Sequence, residues 1–189
     1  MEFKEKINEY LELLKKTVDS LDKDALDEAM NAIFDVYERG ATLYVCGNGG
    51  SAATSSHFAN DFNKGISYDL EKKFNVVSLT DNIATIMAIA NDDSYDQIFV
   101  KQIENKIKPG DLLVAISGSG NSGNVLAAAE YCRARGIKVL GMSGYRGGKL
   151  FKLSDVHMHC PIENMQIVED VHMIFNHMMM SIFSRMLKK

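Results

Sequence analysis

Little in this 189-residue chain could serve as a covalent or membrane framework. It has only three cysteines, Cys46, Cys132 and Cys160, odd in number and widely spaced. That argues against a disulfide scaffold or a zinc knuckle and reads as reduced thiols in the core of a cytosolic protein. No run of about 18 apolar residues occurs, so no membrane-spanning helix is expected. The opening Met1-Glu2-Phe3-Lys4-Glu5-Lys6 is charged and lacks an apolar stretch. No secretory leader is expected there, and the expected location is the cytoplasm. Basic residues are outnumbered, 21 Lys and Arg against 25 Asp and Glu. That balance speaks against a nucleic acid held by bulk charge. Only two prolines, Pro109 and Pro161, interrupt the chain. With no low-complexity linker and no internal repeat, a single domain over residues 1–189 is expected.

What is present is a regular alternation. Two amphipathic helices fill the first 40 residues. The first carries Tyr10, Leu11, Leu13, Leu14 and Val18, and the second Leu26, Met30, Ile33, Phe34 and Tyr37. Asp22 or Asp24 is placed to cap the second helix and Gly40 to end it. Apolar, strand-like runs follow at 41–46, 74–79, 112–116, 138–142 and 156–160. Helical stretches are expected near 51–62, 84–91, 96–106, 123–135, 147–153 and 164–187. Continuous apolar strands separated by helices predict an α/β fold with a five-stranded parallel sheet covered on both faces. The last helix is apolar almost all round, from His172 through Met178, Met179 and Met180 to Phe183. Such a helix is buried on several sides, and a partner subunit is the simplest cover.

Two loops carry the chemistry. Val45-Cys46-Gly47-Asn48-Gly49-Gly50-Ser51 turns from a strand into a helix, a geometry that aims backbone N–H groups at an anion. Gly47, Gly49 and Ala52 also satisfy the dinucleotide pattern G-x-G-x-x-A, a weak signal on its own. The second loop, Ile116-Ser117-Gly118-Ser119-Gly120-Asn121-Ser122, has hydroxyls and amides enough to hold a phosphate ester without a lysine. Ser122 also has the type and place of a helix N-cap. Both loops fall at C-terminal strand ends, where parallel sheets bind ligands. Beyond the first loop, His57 and Asp61 share a helix face at i, i+4. That spacing suits one ion or one substrate, and equally a plain surface pair. Glu169, His172 and His177 lie on the apolar last helix, where each carries a burial cost unless partnered. His157 and His159 are read as structural.

Taken together, Gly47–Ser51, His57, Asn91-Asp92, Ser117–Ser122 and Gln166 through His177 resemble the sugar isomerase (SIS) family, most closely its phosphoheptose isomerase branch. The resemblance spans nearly the whole chain. It implies a three-layer, flavodoxin-like α-β-α sandwich with two extra N-terminal helices and a long C-terminal one. It further implies interconversion of a ketose and an aldose 7-phosphate through an enediol, in a homotetramer with active sites between subunits and a zinc ion. Carried over by position, phosphate meets Ser117, Gly118, Ser119 and Ser122. The sugar meets Asn48, Gly49, Gly50, Ser51, Asp61, Asn91, Asp92 and Glu169. The implied metal ligands are His57, Asp61, Glu169 and His177, with Asp61 and His177 as the acid–base pair. The chain has Asp61 where the branch usually has glutamate, Glu169 for glutamine and Gly118 for threonine. An isomerase of another phosphosugar and a non-catalytic sugar-phosphate sensor are the alternative expectations.

Overall fold

The computed structural model describes residues 2–188. Five strands, β1 (Thr42–Cys46), β2 (Asn75–Ser78), β3 (Leu112–Ser117), β4 (Lys138–Gly144) and β5 (Val156–Cys160), form one sheet. Every pairing in it is parallel, and the order is β2-β1-β3-β4-β5. The central strand β3 is buried at all six residues, which accounts for its unbroken apolar sequence. The order reverses direction between β1 and β3. That switch point is where the loops after neighbouring strands part and leave a crevice.

Among the described residues, eight α-helices surround the sheet. The first two, α1 (Lys4–Asp19) and α2 (Lys23–Arg39), are joined by a turn in which Asp22 accepts from the N–H groups of Asp24 and Ala25. Gly40, at φ 64°, ends α2 as the sequence predicts. Next come α3 (Gly50–Asn60), α4 (Ile83–Asp92), α5 (Val100–Ile103), α6 (Gly123–Arg133), α7 (Gly148–Leu153) and α8 (Met165–Leu187). One core lies on the face covered by α2, α3 and α8 and is built on Ile33, Phe58, Phe62, Val171 and Phe175. The other lies under α5, α6 and α7 and is built on Phe99, Ile103, Leu113, Val125 and Val139. All three cysteines are free and buried, as expected. No helix among the described residues is long and apolar enough to cross a membrane.

Two expectations change. The helix predicted over 96–106 is broken into a 3₁₀ turn (Tyr95–Gln97) and the single turn α5. The chain leaves the helix at Glu104 (ψ 127°), and Asn105 adopts φ 59°, a left-handed conformation that asparagine tolerates. The helix predicted over 51–62 stops at Asn60 and widens into a π-helical turn, Asp61–Ile66. Within that turn Asn63 pairs its side-chain amide with both backbone groups of Val76 on the edge strand β2, at 2.7 and 2.9 Å. In the single chain α8 buries one face: Ile167, Val168, Val171, His172, Phe175, Asn176, Met179 and Phe183. Ile182 and Met186 on its other side stand open.

Candidate active site

The serine loop follows β3 directly. Ser122 has the extended backbone of an N-cap, but its side chain makes no capping bond. The hydroxyl instead faces Ser117 Oγ at 3.0 Å. Two hydroxyls gathered beside the first turn of α6 leave donors free for an anion. Gly120 lets the loop fold: its φ is +66°, and a Cβ there would lie 2.0 Å from the carbonyl oxygen of Gly147. The loop is tied to α7 by Leu150 N–H to Gly120 O at 2.9 Å and Lys149 N–H to Asn121 Oδ1 at 3.1 Å.

Between the two loops is a small cleft of about 120 Å³. Asn48, Ser51, Ser117, Ser119, Ser122 and Glu169 line it, together with Ile116, Gly118 and Met165. Asn48 is held rigidly. Its side-chain amide exchanges two hydrogen bonds with Asn124, at 2.8 and 2.9 Å, and its Oδ1 also accepts from the Tyr95 hydroxyl at 3.0 Å. Gly50 begins α3 so close to α8 that a Cβ would come within 2.5 Å of Glu169 Oε1. Asn124 and Tyr95 were not legible as site residues, because only the fold brings them to Asn48.

A second group of side chains forms one to two turns along α3. The Nε2 atoms of His57 and His177 are 3.3 Å apart, and Asp61 Oδ2 lies 3.2 Å from the first and 3.9 Å from the second. The one ligand atom that each residue offers lies within 4.8 Å of the others. Asp61 is buried, with 7% of its side chain exposed, whereas the imidazoles of His57 and His177 are 43% and 57% exposed. The group is thus anchored on one side and open on the other. Tetrahedral bonds of about 2.05 Å put two nitrogen ligands about 3.3 Å apart. The histidine pair fits such a cation, and two imidazoles with a carboxylate are a donor set suited to zinc. An open fourth position is the arrangement of catalytic sites.

Two carried-over assignments do not meet in the single chain. Glu169 is not part of the His57–Asp61–His177 group. It sits eight residues before His177, about 12 Å along the helix, and its carboxylate borders the serine cleft instead. Asn91 and Asp92 are exposed at the end of α4, hydrogen-bonded to each other at 2.8 Å, and do not line the cleft. His172 is buried with neither ring nitrogen partnered, and burial pushes its pKa down to about 4. It is therefore neutral at pH 7 and outside the cation group. His159 bonds Ser143 Oγ at 3.0 Å and His157 stacks on Phe151, which supports their structural reading.

A five-stranded parallel sheet of this order, with glycine and serine loops meeting at its switch point, is a flavodoxin-like arrangement of the kind an SIS domain has. The SIS domain family matches residues 2–144, and the chain belongs to that family. Within it the chain belongs with the phosphoheptose isomerases. It is 34% identical to the phosphoheptose isomerase of Helicobacter pylori strain P12, covering 92% of this chain and 90% of that one. It is 36% identical to a probable phosphoheptose isomerase of Thermoplasma volcanium, covering 93% and 89%. The structure of a phosphoheptose isomerase from Francisella tularensis superposes with a TM-score of 0.88 at 30% identity, covering 98% of this chain and all of that one.

Proposed function

We propose that this chain is a cytoplasmic, homotetrameric isomerase that converts sedoheptulose 7-phosphate to D-glycero-D-manno-heptose 7-phosphate through an enediol. One observation carries the reading: a hydroxyl-lined cleft bordered by Ser51 of α3 and Glu169 of α8 and a His–Asp–His group further along those helices stand at a fixed separation. Ser51 to His57 spans about 9 Å of α3, and Glu169 to His177 about 12 Å of α8. Six carbon–carbon bonds of about 1.5 Å each and a phosphate ester cover a comparable length. A heptose phosphate anchored at the serine loop therefore reaches His57, Asp61 and His177 with its carbonyl end.

Ser117, Ser119 and Ser122 hold the phosphate through neutral donors, and the first turn of α6 adds its dipole. Asn48, Gly49, Gly50, Ser51 and Glu169 contact the sugar. Asp61 takes the proton from C1 of the ketose and returns it to C2. His177 passes a proton between the two oxygens, so the enediol forms and collapses without net charge. His57, Asp61 and His177 would hold a zinc ion, which when bound supplies a Lewis acid for the carbonyl. Glu169 is assigned to the substrate and not to that ion.

Exposed apolar side chains support the assembly. Phe3 at the N-cap of α1 and Ile7 and Leu11 within it recur every four residues, each more than half exposed, and Ile83 and Met87 stand 67% and 66% exposed on α4. Patches of this kind mark protein contacts. Asn91 and Asp92, at the end of α4, meet the sugar across such a contact.

The test is NMR of sedoheptulose 7-phosphate with zinc-supplemented protein in heavy water. An aldoheptose 7-phosphate bearing deuterium at C2 is the expected product. Unchanged substrate, with zinc bound, would refute the assignment.

A further inference from the structure

The buried amide of Asn176 has no role in the chemistry above. Asn176 is fully buried on the inward face of α8, with Val171, His172, Phe175 and Met179. Its Oδ1 has no hydrogen-bond partner. An orphaned polar atom at such a place costs about 1–3 kcal/mol, and an apolar side chain would avoid that cost. The one hydrogen bond of the amide runs from Nδ2 to Asp61 Oδ2, at 2.8 Å. That same oxygen faces both imidazoles of the cation group.

We propose that Asn176 is a positioning residue that fixes the Asp61 carboxylate for divalent-cation binding by His57, Asp61 and His177. The inference rests on reading that group as a metal site. The terminal torsion of an aspartate is broad, so Asp61 has no intrinsic preference for turning Oδ2 to the imidazoles. Asn176 holds Oδ2, and Asn60 Nδ2 reaches Oδ1 at 3.3 Å, so both oxygens are restrained. A neutral donor does this without cancelling the negative charge that a cation needs. A lysine or arginine at position 176 would occupy the carboxylate as its counterion. Asn176 directly precedes His177 on α8, so one turn of helix delivers both a ligand and the partner that orients another ligand. Partners that orient metal-ligating carboxylates typically change metal affinity by 10–100-fold.

The test is a zinc competition titration between a chromophoric chelator and metal-free full-length protein, wild type against Asn176→Leu. Thermal denaturation of both metal-free proteins runs alongside. The expected result is a loss of zinc affinity of about 10-fold or more, with the metal-free melting temperature close to wild type. Equal zinc affinity in the two proteins overturns the proposal while leaving the metal site standing. Failure of the wild type to bind zinc overturns both. If Asn176→Leu does not fold, wild-type protein labelled with ¹⁵N at asparagine decides. The Asn176 side-chain signals should shift and saturate at one zinc per chain, and signals that do not move would overturn the proposal.

Discussion

The serine cleft and the His57–Asp61–His177 group are both bordered by α3 and α8 but are assembled in different ways. The cleft is mostly local. Ser117, Ser119 and Ser122 lie within six consecutive residues, and the turn at Gly120 brings two of their hydroxyls together. The cation group is non-local: His57 and His177 are 120 residues apart in sequence and meet only because α3 packs on α8. In the proposed reaction, binding of the phosphate and chemistry at the carbonyl end therefore draw on different side chains. A change in α3–α8 packing near His57 should damage the second more than the hydroxyls of the loop between β3 and α6, which pair with each other within that loop.

The largest expected effect comes from removing divalent metal. After chelation, turnover should fall to background, while inorganic phosphate binding, followed by calorimetry, stays at its untreated affinity. Parallel loss of phosphate binding would erase the proposed division. Asp61→Asn should lower kcat by about 10²–10⁴-fold, the usual range for a general base, with the circular dichroism spectrum unchanged. Substantial residual turnover would sink the assignment of Asp61.

The next effect concerns the helix that both regions share. The pKa of His172 is lowered to about 4 from the ordinary 6.5 because burial penalises its charged form. Between those values the unfolded chain binds a proton that the folded chain does not, so stability should fall as pH drops from about 6.5 to 4. The loss is on the order of 3 kcal/mol, and His157 and His159, whose pKa values burial also lowers, add to it in the same direction. Urea titrations at pH 7 and pH 5 would capture about 2 kcal/mol of it. His172→Gln should reduce the slope, and an unaltered slope would remove His172 as its source. The smallest effect is expected at Ser119→Ala, about 10–100-fold in kcat/KM and expressed mainly in KM. That range corresponds to the 1.5–3 kcal/mol of one hydrogen bond to a charged group. An equal fall in kcat would mean that the cleft also takes part in the chemical step.

Much of the fold was legible because its signals are short-range. Apolar runs separated by helical periods located all five strands to within a residue or two, and Asp22 and Gly40 marked the ends of α2. The serine cleft was legible for the same reason. What the sequence hid depended on side chains meeting across the fold. Nothing near Asn124 or Tyr95 announces that both hold Asn48. Asn176 left a faint trace, as an amide in an otherwise apolar stretch, but the partner that explains it lies 115 residues away. The end of α3 was misread because a single π-helical turn, which adds a residue to the turn, is too short to break the apolar pattern of the helix it extends. Asn91 and Asp92 were carried over by position, and in the single chain they remain at the surface.

The π-helical turn has a consequence of another kind. β2 is an edge strand, and an edge strand with open N–H and C=O groups is a template on which other chains can stack. By presenting Asn63 to both backbone groups of Val76, the turn caps that edge with a side chain that imitates a neighbouring strand. The irregularity that begins at Asp61 therefore also leaves one less open pair of backbone groups on the edge of the sheet.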